Sequence, residues 1–176
     1  MTKNPESTEQ EASAVENQAK TLFERVADYL NAQDWTYSAF EDNGYFSFNL
    51  RLNDGAVRVI VDTMQAPGWS RLLVYAQYPV FVPASRRPAV SEAINRINYA
   101  TSFGNLEMDA KDGEIRARTA LEGDAFIGEQ MIDRAVRQSL ELANRYFAPI
   151  LAVAFGNGVA DDVLEMVSRG DDATLQ

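Results

Sequence analysis

Two corners, Asn43-Gly44 and Asp54-Gly55, constrain the fold of this chain more than any other feature of its sequence. Asn-Gly and Asp-Gly between runs of alternating apolar residues are typical of two-residue hairpin turns. The registers that follow from the two turns are independent, yet both turn the same apolar residues of the shared strand to one face. These residues are Phe48, Leu50 and Leu52. The sequence therefore predicts three antiparallel strands with one buried face.

Each turn also assigns a partner to every residue of the strands that it joins. Across the first turn the predicted pairs are Phe46 with Glu41, Phe48 with Ala39, Leu50 with Tyr37 and Leu52 with Trp35. Across the second turn they are Val57 with Leu52, Val59 with Leu50 and Val61 with Phe48. A fourth strand, from Trp69 to about Tyr78, follows a Pro67-Gly68 turn.

The opposite face of this sheet carries a mixed set of side chains. The predicted register turns four residues outward, Phe40, Arg51, Arg58 and Ile60. If the apolar residues 72, 74 and 76 of the fourth strand face inward, three more residues face outward, Arg71, Leu73 and Tyr75. The predicted register sets Arg51 opposite Arg58, and Asp62 is the acidic group expected to offset their repulsion. Two interpretations stay open. A helix covers this face as a second layer, or the face is a protein-binding or dimer surface of the aromatic, aliphatic and Arg composition typical of interfaces.

Helical patterns flank these strands. A first helix begins at Ser13, with Glu16 completing a capping box. A second helix has Pro88 in its first turn, after a loop punctuated by Pro79 and Pro83. A long third helix runs from about Ile127 with Met131, Ile132, Ala135, Val136, Leu140 and Ala143 on its buried face; Pro149 kinks or restarts it, and Gly156-Asn157-Gly158 ends it.

Between the second and third helices the pattern predicts two more strands, Asn105–Ala110 and Glu114–Leu121, joined at Asp112-Gly113. We expect three regions in the chain: a disordered acidic tail over 1–13, a single α+β domain over 14–157, and a short C-terminal helix and tail over 158–176.

The absence of both Cys and His from the sequence excludes many functions. Without them there are no disulfides, thiolate or imidazole metal sites, and no Ser-His-Asp or Cys-His catalysis. The formal net charge of −10 disfavours nucleic acid and anionic membranes as partners and favours proteins. The start of the chain is polar and acidic, which is not typical of a signal peptide, and no apolar run approaches a membrane span. We therefore expect a cytoplasmic protein with no cofactor, no metal site and no catalytic residue.

Glu107 and Asp109 are the best candidates for a catalytic pair, because alternate strand positions aim both carboxylates at one face. The Asp112-Gly113 turn sets Asp109 opposite Arg116 and Glu107 opposite Arg118. Cross-strand ion pairs of this kind are ordinary sheet stabilisation, so we interpret both carboxylates as structural. We interpret Arg86-Arg87 as a basic pair in a solvated loop. Asp161-Asp162 and Asp171-Asp172 lack the oxygen spacing of a calcium loop.

The chain resembles the YbjN-like family of small bacterial proteins, which are described as sensory-transduction regulators. The resemblance spans about residues 15–155, and its sharpest part is the block from Ile94 to Thr119, including Ser102-Phe103-Gly104-Asn105. The stretch 144–149 is similar to that family's long C-terminal helix. The resemblance implies a fold like that of type III secretion chaperones, an antiparallel β-meander flanked by helices in the order α-β-β-β-β-α-β-β-α. It implies no catalytic residues, because none are established for the family.

Three hypotheses for the function follow from the sequence. The paired carboxylates Glu107 and Asp109 argue against one of them, an enzyme that uses Asp, Glu, Tyr and Arg alone. Two remain. The first is a non-enzymatic, homodimeric binding module that acts as a bacterial regulator or chaperone-like adaptor for another protein, whose identity the sequence leaves open. The second is a protein that binds a small apolar ligand in a pocket under the curved sheet. Its lining would be Trp35, Tyr37, Phe46 and Phe48.

Overall fold

The structure is a computed structural model, and it describes residues 20–123 and 126–167. The helices are α1 (Leu22–Ala32), α2 (Arg87–Ala100) and α3 (Glu129–Phe155), and residues 163–167, within the predicted short C-terminal helix, are helical as well. The strands are β1 (Ser38–Phe40), β2 (Tyr45–Arg51), β3 (Ala56–Ala66), β4 (Trp69–Phe81), β5 (Asn105–Met108) and β6 (Glu114–Gly123). Short 3-10 turns lie at Glu41–Asn43 and Ala160–Asp162. The predicted order of helices and strands from α1 to α3 is confirmed.

The strands form one antiparallel sheet in the order β1-β2-β3-β4-β6-β5. Its strands alternate between buried and exposed side chains, most regularly along β4. α3 packs on β4 and β6, α2 on β5, and α1 on β3 and α3. The chain is therefore an α+β fold in which the buried residues of β2 to β6 share one core with the helices.

α1 begins later than the sequence predicts. Its N-cap is Thr21, whose hydroxyl accepts a hydrogen bond from the backbone N–H of Glu24, while the Glu24 carboxylate accepts one from the Thr21 N–H. This is the capping box of the helix. The predicted cap at Ser13 and the tail over 1–13 lie outside the described residues. Because Thr21 has an extended backbone, the helix that contains Leu22 begins after Thr21.

The predicted length of two residues is wrong for all three Asn-Gly and Asp-Gly turns, which are longer loops in the structure. Phe46 lies opposite Ala39 instead of Glu41, Phe48 opposite Val59 instead of Val61, and Glu107 opposite Arg116 instead of Arg118. A two-residue type I′ turn needs positive φ at both central residues. Here none of the Asn or Asp residues at these corners has positive φ, so the chain needs longer loops. The Pro67-Gly68 turn, by contrast, is a two-residue loop as predicted.

In each case the observed pairing differs from the predicted pairing by two residues. Successive side chains of a strand alternate between the two faces of the sheet, so a shift of two residues restores the same face. The shift therefore leaves every residue on its predicted face. Phe46, Phe48, Val57, Val59 and Val61 are all buried.

Pro79 lies inside β4 instead of in the following loop. The pairing of β4 with β6 shifts between Gln77 and Phe81, which marks a bulge. Proline is tolerated in a strand at such a point because no ladder hydrogen bond needs its missing N–H. The strand therefore reaches Phe81 before the chain turns into α2.

α3 continues through Pro149 as one helix of 27 residues, so the predicted restart is wrong. It ends at Phe155 before Gly156, as the glycines predict. Met131, predicted on the buried face, is 41% exposed, whereas its neighbour Ile132 is fully buried. Ala160 and Val163, beyond the end of α3, are also buried in the common core.

Arg86 and Arg87 are structural residues, not the solvated pair that the sequence suggests. Arg86 donates hydrogen bonds to the carbonyls of Val153 and Gly158, 2.5 and 3.2 Å away, where α3 leaves its last carbonyls without helical partners. Arg87 donates to the carbonyl of Val82 and to three carbonyls of the loop between β5 and β6. These arginines tie the start of α2 to two distant segments.

We expect Gly55→Ala to destabilise the protein, because a Cβ at this position would lie 2.4 Å from the ring of Phe147 on α3. Overpacking of this kind costs about 1–3 kcal/mol. Phe147→Leu shortens the side chain that obstructs the new methyl group. In a double-mutant cycle by urea unfolding, the Gly55→Ala cost should therefore shrink in the Phe147→Leu background. Additive costs would show that the loop moves aside instead.

Arg86→Met should lower the free energy of unfolding by about 1–3 kcal/mol, because it leaves the terminal carbonyls of α3 without their donor. Arg86→Lys should rescue it only in part, since an ammonium group cannot reproduce the planar fork. The matched control is Arg137→Met. Arg137 is exposed and pairs with Asp133 one turn earlier on the same helix, so its loss should cost less than about 0.5 kcal/mol. Equal effects at the two positions in urea unfolding would contradict the capping role of Arg86.

Candidate functional site

We call the side of the sheet that faces away from the helices the outer sheet face. It comprises all seven predicted outward residues, Phe40, Arg51, Arg58, Ile60, Arg71, Leu73 and Tyr75, together with Tyr45, Ser47, Asp62, Gln77, Glu107, Glu114, Arg116 and Arg118. Among the described residues no helix packs on this face, and its side chains are half-buried or exposed. The second layer considered from the sequence is therefore not present in the described part of the chain.

The centre of the outer sheet face is apolar and aromatic. Ile60 lies opposite Tyr75, and Leu73 lies opposite Asp62. At the β1 edge, the ring of Phe40 stacks on Tyr45 with 4.5 Å between centroids. The structure thus brings all seven predicted outward residues into one surface, and their role in binding stays a prediction.

The acidic groups of this face pair with some of its arginines. Asp62 lies 3.3 Å from Arg71, so it does not serve Arg51 and Arg58 as predicted. Glu107 bridges Arg116 and Arg118 at 2.9 and 3.0 Å. The structural interpretation of Glu107 is thereby supported, although its direct cross-strand partner is Arg116.

Asp109, the other half of the candidate catalytic pair, does not lie opposite Arg116. Its carboxylate accepts a hydrogen bond from the backbone N–H of Lys111 inside the loop between β5 and β6. Glu107 therefore forms ion pairs on the sheet, whereas Asp109 stabilises a turn, and the two carboxylates do not face a common site.

The pKa of Glu107 reflects this arrangement. Burial alone would raise the pKa of Glu107, but hydrogen bonds from Asn105 and Arg116, and the charges of both bridging arginines, hold it below its ordinary value. A carboxyl group kept ionised in this way is a poor proton donor, so Glu107 is not suited to general acid catalysis.

Arg51 and Arg58 differ from the other arginines of this face. Arg58 donates to the hydroxyl of Ser47 at 2.9 Å, and no carboxylate of the described residues pairs with Arg58 or Arg51. In the observed register Arg58 lies opposite Asn49, and Arg51 opposite Ala56. The two arginines are therefore diagonal neighbours, about 7–8 Å apart at Cα, and the direct opposition predicted from the sequence is wrong.

A shallow trough of about 270 Å³ crosses the middle of the face. We call it the central trough. Its lining is Tyr45, Arg58, Ile60, Asp62, Tyr75, Gln77, Glu114 and Arg116. The guanidinium of Arg116 lies 4.5 Å from the ring centroid of Tyr75 and so supports one wall. The trough therefore combines apolar surface with charged groups at its rim.

The residues proposed to line a pocket under the sheet fill that space themselves. Phe46 stacks on Phe23 at 4.2 Å, Trp35 packs on Phe48 at 5.4 Å, and Tyr37 meets the edge of Phe46. Phe46 is fully buried. This packing favours a solid core over a site for a small apolar ligand.

No cluster of three or more acidic residues suited to a metal ion is found in residues 20–123 and 126–167. Asp161 pairs with Arg96 instead, and Asp171-Asp172 lies outside the described residues. Within the same ranges, none of the helices has the length and apolar character required to cross a membrane.

The sequence did not reveal the contribution of β6 to this face. Arg116 and Arg118 lie opposite Gln77 and Tyr75 because β6 pairs with β4. The alternation of these arginines with buried Ile115 and Ala117 was the available signal. It assigns the arginines to an exposed face but does not say which strand lies beside them.

The two edges of the sheet differ. The side chain of Asn98 on α2 donates to the Leu106 carbonyl at 2.9 Å and accepts from the Leu106 N–H at 2.8 Å. These hydrogen bonds occupy the outward backbone groups of Leu106, so another strand cannot pair with β5 at this residue. The three residues of β1 at the opposite edge are all exposed.

Comparison with known proteins identifies the family. The YbjN family, described as "Putative bacterial sensory transduction regulator", matches residues 22–152. The chain belongs to the YbjN family. A solved structure described as "Crystal structure of YbjN, a putative transcription regulator from E. coli" is 14% identical, with a TM-score of 0.48, and the match covers 76% of this chain and 89% of that chain. No relative is found among curated proteins. The assignment of this chain to a regulator family therefore rests on the family match.

Acidification should remove the stabilisation that Glu107 supplies. Its pKa is lowered in the folded state, so its contribution is complete above the ordinary carboxyl value of 4.5 and is lost as pH falls through the folded pKa. The difference in unfolding free energy between wild type and Glu107→Gln should thus be largest near pH 7 and should shrink below about pH 4.5. A difference that stays constant from pH 7 to pH 3 in urea unfolding would contradict the ion-pair role.

Proposed function

We propose that this YbjN-family protein is a non-enzymatic protein-binding module whose contact surface is the outer sheet face. In this proposal it acts as a regulator or chaperone-like adaptor in the cytoplasm, and it functions as a homodimer. The observation that carries the proposal is a broad sheet face with no helix on it among the described residues, lined by half-buried apolar, aromatic and Arg side chains.

The composition of the face supports a protein partner. Tyr, Phe and Arg are enriched where proteins meet, and the best contacts surround a central apolar area with a polar rim. Ile60, Leu73 and Tyr75 form such an area here, and Arg58 and Arg71 lie around it. The ionised, bridged state of Glu107 favours a binding role over a catalytic one.

The rigidity of the face also supports the proposal. Most of its side chains stand on β2, β3, β4 and β6, which have a strand on both sides, and several are fixed by ion pairs or ring contacts. A surface that is already ordered loses little conformational entropy on binding. An adaptor that presents one fixed face to a flexible partner would use this advantage.

Photo-crosslinking in the native host tests the proposal directly. p-Benzoylphenylalanine in place of Tyr75 should form covalent adducts with a partner protein or a second copy, since Tyr75 lies at the centre of the face. The matched control is the same probe at Met131, an exposed apolar position on α3. No adduct at position 75 beyond those at position 131 would remove the outer sheet face from consideration.

Leu73→Asp and Ile60→Asp should each abolish the adducts formed from position 75 and shift any dimer to monomer in light scattering, because a carboxylate would be desolvated at the contact. Met131→Asp should leave both readouts unchanged. Circular dichroism and urea unfolding confirm that each variant is folded. Folded variants with unchanged adducts and unchanged mass would contradict a binding role for this face.

A further inference from the structure

We infer that the partner segment on the outer sheet face is acidic and extended, with carboxylates on Arg51 and Arg58 and apolar or aromatic side chains in the central trough. This inference rests on the proposed function and specifies the chemistry of the partner. It begins from the charges on the face that have no counter-ion within the described chain.

Three of the five arginines on this face already have acidic partners. Arg71 pairs with Asp62, and Glu107 serves Arg116 and Arg118. Arg51 and Arg58 remain exposed, and no carboxylate of the described residues pairs with either. The cations that this face leaves without a carboxylate partner are therefore Arg51 and Arg58, on a chain whose net charge is −10. Glu114, which also lines the central trough, accepts a hydrogen bond from the Gln77 side chain.

The positions of the two arginines suit a strand-like segment. They are diagonal neighbours on β2 and β3, about 7–8 Å apart at Cα. Alternate side chains of an extended peptide are spaced by about 6.6 Å along its axis, since each residue advances about 3.3 Å. Two acidic residues at alternate positions of a partner can thus each face one guanidinium. Guanidinium–carboxylate hydrogen bonds are among the strongest between side chains.

The central trough adjoins this cationic pair, because Arg58 is also part of its lining. Tyr45, Ile60 and Tyr75 offer apolar and aromatic surface within it. A partner segment that places carboxylates on the arginines would bring its neighbouring side chains over this trough. Acidic residues together with apolar or aromatic ones are therefore the composition that the face fits.

A polynucleotide fits less well. Binding of a polyanion usually requires several free cations along a track, and carboxylates repel its phosphates. Here Asp62, Glu107 and Glu114 lie among the arginines of the same face. Two free guanidinium groups suit a short acidic peptide better than a continuous phosphate backbone.

The test uses fluorescence anisotropy of the full-length protein with a labelled random copolymer of Glu and Tyr. Polyglutamate and oligothymidylate serve as comparison probes. The copolymer should bind more tightly than either, and its affinity should fall as salt rises. Arg51→Gln/Arg58→Gln should weaken binding of the copolymer by about tenfold or more, the effect of losing charge-assisted hydrogen bonds.

Arg134→Gln/Arg137→Gln is the matched control, because it removes the same charge from the exposed surface of α3. It should change the affinity by less than about twofold, as expected for screened charges distant from the site. Equal losses in both double variants would show a general effect of net charge and would overturn the inference. So would tighter binding of oligothymidylate than of the copolymer, or no copolymer binding at all.

Two further outcomes separate this inference from the proposed function. If Leu73→Asp abolishes the adducts from position 75 while Arg51→Gln/Arg58→Gln leaves them unchanged, the face binds a protein that is not acidic, and only the inference fails. If the arginine variants alter the oligomeric state in light scattering but not copolymer binding, a second copy occupies the face, and the inference is overturned.

Discussion

The packing of α3 against the inner face of β4 and β6 is the interaction on which the rest of the structure depends. Two hydroxyl groups position it. Tyr78 donates to the Ala143 carbonyl at 2.9 Å, and the Ser139 hydroxyl lies 2.8 Å from that of Thr119 and 3.2 Å from the Val74 carbonyl. Burial raises the pKa of Tyr78, so its hydroxyl stays protonated and remains a donor. Buried polar groups satisfied only in one alignment fix that alignment of α3 on the sheet, where the buried residues of β2 to β6 form the core.

The sequence predicts the faces of this sheet better than its turns, and the reason is physical. Which face of the sheet a residue joins depends on whether it stands at an odd or an even position of its strand. The alternation of apolar residues in the local sequence shows this directly. The length of a turn depends on φ values at particular residues, and tertiary contacts select these. Gly44 and Gly113 have φ of 70° and 88°, but the Asn and Asp residues that precede them do not have positive φ. The apolar faces were therefore predicted correctly, while the pairing across each Asn-Gly or Asp-Gly turn was displaced by two residues and the opposition of Arg51 and Arg58 was wrong.

The roles of the arginines could not be predicted from the local sequence, for a different reason. Arg86 binds the carbonyl of Val153, 67 residues later in the chain, and Arg116 supports Tyr75 only because β6 inserts beside β4. Neither relation has a signature in the spacing of residues. Sequence reasoning thus identified the outward residues of β1 to β4 but missed those of β6, which complete the central trough.

Net charge and local charge lead to different conclusions for this protein. A formal charge of −10 describes the average surface and disfavours polyanions at long range. At short range, recognition depends on the groups that remain unpaired at the contact, since screening removes the influence of charges beyond about 10 Å. On the outer sheet face, the cations that no carboxylate of the described residues pairs with are Arg51 and Arg58. An acidic protein can therefore select an acidic partner segment, because the same carboxylates that set its net charge are spaced away from these arginines or committed to others.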